Sequence, residues 1–84
     1  MATSVVRNEE LSRFEIYLDN ELAGFAEFRM RGNTIVFPHT EIDPKFGGQG
    51  LGSALIQYAL DDAAMKKYLV APYCPFVSKY IAKN

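Results

Sequence analysis

Phe46-Gly47-Gly48-Gln49-Gly50-Leu51-Gly52-Ser53-Ala54-Leu55 is the stretch that decides how this chain is read, with four glycines in the six positions 47–52 and a helical apolar pattern starting directly after them. Glycine tolerates positive φ and lets backbone come close to a ligand. The first turn of a helix leaves several N–H groups without intrahelical partners, and the helix dipole adds partial positive charge at the same end. A glycine-rich loop running into a helix is therefore a cradle for a phosphate or pyrophosphate. A plain strand-to-helix turn needs one or two glycines, so the density of glycine here points to a ligand.

Downstream of the loop the period is helical. Leu51, Leu55, Ala59 and Ala63 recur every four residues, flanked by Ile56, Leu60 and Met65, while Ser53, Gln57 and Asp61 form a polar stripe. The spacing predicts an amphipathic helix from Ser53 to about Lys66, with Lys66 and Lys67 at its negative end. Tyr68-Leu69-Val70-Ala71, bounded by Pro72, reads as a short buried strand. Strand, helix and strand in that order imply a right-handed crossover and parallel pairing. Pro75 opens a second, shorter helix whose apolar face is Val77, Tyr80 and Ile81.

Upstream the period is two. Phe14, Ile16 and Leu18 alternate with Arg13, Glu15 and Tyr17, the mark of a half-buried strand. Asp19-Asn20 is turn chemistry. A second strand runs from about Ala23 to Met30, Arg31-Gly32-Asn33 makes the next turn, and Thr34 to Ile42 reads as a third, long strand. Pro38 within it implies a bulge or an edge. Val5-Val6 adds a short first strand. The whole is an α/β (α+β) chain: an antiparallel N-terminal meander, then helix, strand and helix, in one domain over residues 1–84.

Composition sets the outer limits. Nine basic residues against ten acidic ones give a net charge of −1, so no global basic field draws the chain to nucleic acid. No apolar run approaches the length of a membrane span, and the N-terminus lacks the pattern of a signal peptide. A single cysteine excludes an internal disulfide. These features predict a cytoplasmic protein, either monomer or weak homodimer, with no nucleic-acid or membrane partner and no metal.

Two familiar phosphate motifs fail. A P-loop needs Gly-Lys before Ser or Thr, and no Gly-Lys pair exists. The dinucleotide fingerprint needs a third glycine where Ser53 stands, and it opens a parallel unit instead of following a meander. Gly47-Gly48-Gln49-Gly50-Leu51-Gly52-Ser53-Ala54-Leu55-Ile56 instead resembles motif A of the GNAT superfamily of N-acetyltransferases. The order of strands, loop and helices resembles that family over most of the chain. The pairing of His39-Thr40-Glu41 with Pro72-Tyr73-Cys74-Pro75-Phe76-Val77 is similar to a short, minimal branch of it with a Cys-Pro-Phe tail.

The resemblance implies a GNAT-like mixed sheet, acetyl-CoA (or CoA) as ligand, and an amine as acetyl acceptor. It implies that the pyrophosphate rests on the loop, here Gly47, Gly48, Gln49, Gly50, Leu51, Gly52 and Ser53, through the amides of residues 48–53. It also implies that the pantetheine arm pairs with the main chain of Thr40, Glu41 and Ile42. Gly47 stands where the family usually has Arg or Gln. The two N-terminal helices that shape the acceptor site in larger relatives have no counterpart.

Three side chains are candidates for the chemistry. Cys74, just before Pro75, sits at the start of the last helix, where free amides and the dipole favour a thiolate. It is a nucleophile for a two-step transfer, a contact for the acetyl group, or a buried packing thiol. His39 is the sole histidine, and imidazole is the side-chain type suited to a base at neutral pH. If its ring reaches Cys74 the two form an activated pair; otherwise it is a structural residue. Tyr80 resembles in position the tyrosine with which many GNAT enzymes protonate the departing thiolate. Glu41 is a further candidate base, and Lys45, Lys66, Lys67 and Lys79 are candidate phosphate contacts. The alternative to an enzyme is a non-catalytic CoA- or acyl-CoA-binding or protein-interaction module.

Overall fold

The computed structural model describes residues 2–83, the side chain of Lys83 excepted. Strands β1 (Thr3–Asn8), β2 (Arg13–Leu18), β3 (Glu21–Arg31), β4 (Thr34–Ile42) and β5 (Leu69–Ala71) form one sheet in the order β1-β2-β3-β4-β5. The first four are antiparallel neighbours and β5 runs parallel to β4. A 3-10 turn (Pro44–Phe46) and helix α1 (Leu51–Met65) connect β4 to β5, and helix α2 (Pro75–Lys83) follows.

The hairpin between β2 and β3 turns on Asp19 and Asn20, both at positive φ. That is the geometry in which a two-residue loop matches strand twist. The first strand spans six residues, not two. Its polar residues hid it from a reading by hydrophobic period.

One face of the sheet carries Phe14, Ile16, Ala26, Phe28, Ile35 and Phe37, packed against Leu51, Leu55, Ile56, Ala59 and Ala63 of α1 and against Val77 of α2. Arg7 of β1 reaches the same side. Its guanidinium lies 4.6 Å from the Phe28 ring centre and its Nη1 is 2.8 Å from Asp62 of α1. The helix ends in a Schellman motif: the Tyr68 amide donates to Ala63 and the Lys67 amide to Ala64. Lys67 holds the left-handed position, at φ 59°, that glycine usually takes.

Among the described residues, no helix covers the opposite face of β2 and β3. Glu15 lies on it, yet is 4 % exposed, because Arg13, Tyr17 and Asn8 all donate hydrogen bonds to its carboxylate. Burial alone pushes this carboxyl up; the three donors and the Arg13 charge outweigh that and hold it below its ordinary range.

Pro38 marks a bulge, one of the two forms expected of it. Glu27 pairs with His39, but Arg29 pairs with Val36, so Phe37 and Pro38 together stand opposite Phe28. One extra residue reverses every side chain beyond it. His39 and Glu41 therefore join Phe25 and Glu27 on the open face, while Thr40 and Ile42 join Ala26 on the helical face.

Candidate active site

Two features of β4 make the site. The strand pairs with β5 only along Thr34–Val36. Beyond that the two diverge, and the chain crosses back to bond once more, Cys74 N–H to the Phe37 carbonyl at 2.8 Å. On the β3 side, the Asp43 amide donates to Ala23. Hydrogen-bonded pairs alternate in an antiparallel ladder, so Phe25–Glu41 and Glu27–His39 are bonded pairs as well. The main-chain groups of Thr40 and Ile42 point away from β3, into the split.

At the end of the split lies the glycine loop. Gly48 and Gly50 hold φ of 79° and 72°, and a Cβ at either would meet nothing within 4 Å. Their glycines serve backbone conformation, with open space in front. Gly50 is the N-cap of α1 and no side chain caps the helix. The first helical amide to find a backbone acceptor is that of Ala54, on Gly50. A groove of about 280 Å³ opens here, lined by the loop, Ile42, Phe46 and Phe76. It is not plugged, and its donors suit an anionic diphosphate.

Gly52 has a different reason to be glycine. A Cβ there would collide with the ring of Phe76, which packs over the first turn of α1. One of the four glycines thus joins two helices. The sequence reading missed Phe46 and Phe76 as walls of the groove; the signal for Phe76 was an aromatic placed directly after the proline that opens α2.

Cys74 lies in the split, 4 % exposed. Burial pushes its thiol up, but the Thr40 hydroxyl and the amides of Phe76, Val77 and Thr40 more than offset this, and the thiol sits below its ordinary range. The Thr40 Oγ1 is buried without another hydrogen-bond partner. His39 is elsewhere. Its ring is 6.0 Å from that of Phe25, its Nε2 is 3.4 Å from Glu41 Oε1, and its side chain is 51 % exposed on the open face. The bulge separates it from Cys74 by the thickness of the sheet, so the imidazole–thiol pair does not form. Tyr80 is half-buried on α2 against the core. Lys45 is bonded to Glu21 and sits over the Phe46 ring at the rim of the groove, and Lys66 is bonded to Asp62.

A family model described as GCN5-related N-acetyl-transferase matches residues 13–84. The chain belongs to this family. Solved structures of N-acetyltransferases share its fold. A GCN5-like protein from Staphylococcus aureus superposes with a TM-score of 0.72 at 23 % identity, over 95 % of this chain and 78 % of that one. A ribosomal-protein-alanine N-acetyltransferase from Brucella melitensis gives 0.67 at 20 %, over 84 % and 55 %. The PaiA N-acetyltransferase from Thermoplasma acidophilum, solved with coenzyme A, gives 0.62 at 20 %, over 67 % and 35 %. This GCN5-related chain thus spans about a third to three quarters of the length of these relatives. Among curated proteins none matches it significantly. Among its described residues, no helix is long and apolar enough to cross a membrane.

Proposed function

We propose that the chain binds acetyl-CoA and transfers the acetyl group to an amine nitrogen. The observation that carries this reading is the uncapped start of α1: free amides of the glycine loop open onto a groove that no side chain fills. Acetyl-CoA supplies an activated acetyl thioester. The residues of the chain do the rest. The loop amides hold the diphosphate, and the main-chain groups of Thr40 and Ile42 that face the split receive the pantetheine arm as an added strand would. His39, with Glu41 against its ring nitrogen, takes the proton that the incoming ammonium must lose. Tyr80 returns a proton to the leaving thiolate.

The caged thiol of Cys74 suits a role in contact with the acetyl group. Direct attack by the amine is the default route; a covalent relay through Cys74 is the sharper alternative. Cys74→Ala should leave no acetyl-enzyme and no turnover on the covalent route, and near-normal turnover on the direct one.

The test of the function itself has two readings. A ligand that binds only the folded state raises the melting temperature by mass action, so millimolar CoA should raise it. Labelled acetyl-CoA with a panel of amines should then give labelled amide. No shift with CoA overturns the reading, and a shift with label retained but never transferred favours the non-catalytic binding module.

A further inference from the structure

A second groove, of about 270 Å³, lies at the far side of the same strand segment. Its walls are Leu22, Ala23, Gly24, Phe25 and Pro44, and its charged groups are Glu41 and Asp43. Strand alternation ties it to the first groove. Ile42 lines the glycine groove, while its two neighbours Glu41 and Asp43 line this one. The neighbouring cation is already committed, since Lys45 Nζ is 2.6 Å from Glu21. Gly24 lies so close to β4 that a Cβ there would run into Ile42 and the Glu41 carbonyl.

We propose that this groove holds the acceptor, and that the acceptor is an alkyl amine bearing a second ammonium group. The inference rests on the acetyl-transfer reading above. Apolar walls suit an alkyl spacer, and two carboxylate residues, Glu41 near the end of β4 and Asp43 just beyond it, with Cα atoms about 7 Å apart by strand rise, suit two positive charges. Asp43 holds the distal ammonium. The reacting one lies at Glu41 and His39, beside the split. There it loses a proton to His39, its nitrogen forms the bond to the acetyl carbon, the carbon–sulfur bond breaks, and the sulfur leaves with the electron pair as CoA thiolate. The net products are an N-acetyl amine with one ammonium left, free CoA and a proton. A monoamine of the same chain length fills the apolar wall but leaves Asp43 without a counter-charge.

The experiment compares labelled acetyl transfer to diaminobutane and butylamine, and to diaminohexane and hexylamine, in the wild type, Asp43→Asn and Leu22→Lys, with a lysine-bearing peptide as a further acceptor. Asparagine still accepts from the Lys45 amide as Asp43 does, so the 3-10 turn keeps its cap. Leu22 is 39 % exposed, so lysine there is tolerated by the fold and places a cation at the groove. The expected result is a kcat/KM for each diamine several-fold above that of its monoamine partner, with this preference cut about fivefold in Asp43→Asn, as loss of an exposed ion pair implies, and cut in Leu22→Lys as well. The CoA-dependent rise in melting temperature should persist in both variants. Equal kcat/KM for diamines and monoamines, a preference unchanged by Asp43→Asn, or the peptide as much the better acceptor overturns the diamine assignment while leaving acetyl transfer standing. Absence of any CoA-dependent shift overturns both.

Discussion

The ring of Phe76 occupies the space that a methyl group on Gly52 would need. This one contact fixes how α2 meets the first turn of α1, and it stands at the wall of the glycine groove. Gly52→Ala should therefore destabilise the fold by about 1–3 kcal/mol through overpacking, visible as a lower urea midpoint. It should also weaken the CoA-dependent thermal shift, because the displaced ring is next to the groove. Adding Phe76→Ala should recover part of the stability, a coupling that a double-mutant cycle reads directly.

Gly48 separates charge from conformation. Its φ is positive and the space before it is open, and Asn and Asp both tolerate that backbone better than other residues with a side chain. Gly48→Asn and Gly48→Asp should thus fold alike. The aspartate puts a negative charge where a diphosphate is expected, and CoA affinity should fall by about tenfold or more relative to the asparagine variant. Titration calorimetry measures both; equal affinities would place the anion elsewhere.

Lys67 holds a left-handed backbone at the end of α1 without being glycine. Such a conformation costs a side-chain-bearing residue about 1 kcal/mol. Lys67→Gly should raise stability by a comparable amount, read from chemical denaturation, with the CoA-dependent shift preserved.

Glu15 predicts an acid limb. Its carboxyl in the folded chain titrates below its value in the unfolded chain. As pH falls, the unfolded state takes up the proton first, so stability declines. The contribution of Glu15 is complete above the unfolded value and is lost as pH falls through the folded one. Glu15→Gln should cost about 1–3 kcal/mol at neutral pH, since it leaves Arg13 and Tyr17 with a poorer acceptor, and should flatten the acid limb in urea unfolding followed against pH.

The thiol of Cys74 should ionise at lower pH than an ordinary cysteine, followed by thiolate absorbance in the ultraviolet. Thr40→Val removes one of the donors that hold it down, and the midpoint should move up. An unchanged midpoint would leave the backbone amides of Thr40, Phe76 and Val77 as the cause.

Much of this architecture is legible from residue order. The bounds of β4 follow from its β-branched and aromatic run between Gly32-Asn33 and Asp43-Pro44, and the buried stripe of α1 is the one its spacing predicts. The side of the sheet on which His39 lies was not legible. It depends on a single extra residue at Phe37-Pro38, and a bulge has a cue in Pro38 but no cue for its register. Glu15 was hidden for a related reason. Alternation assigns it to the solvent face, where its burial depends on three donors gathered from two strands. The use of Gly52 could not be separated from that of Gly48 and Gly50, because only the path of α2 distinguishes a glycine facing a ring from one facing open space.

The strand order of the sheet is the order of the chain, and this bears on how the molecule assembles. Each of the first three pairings closes a loop of a few residues, so little entropy is lost before contacts form. The joining of β5 to β4 must wait for α1 to bridge them, with Leu69 bonding back to Asn33 across the crossover. The meander should therefore form first on refolding, and the split between β4 and β5 last.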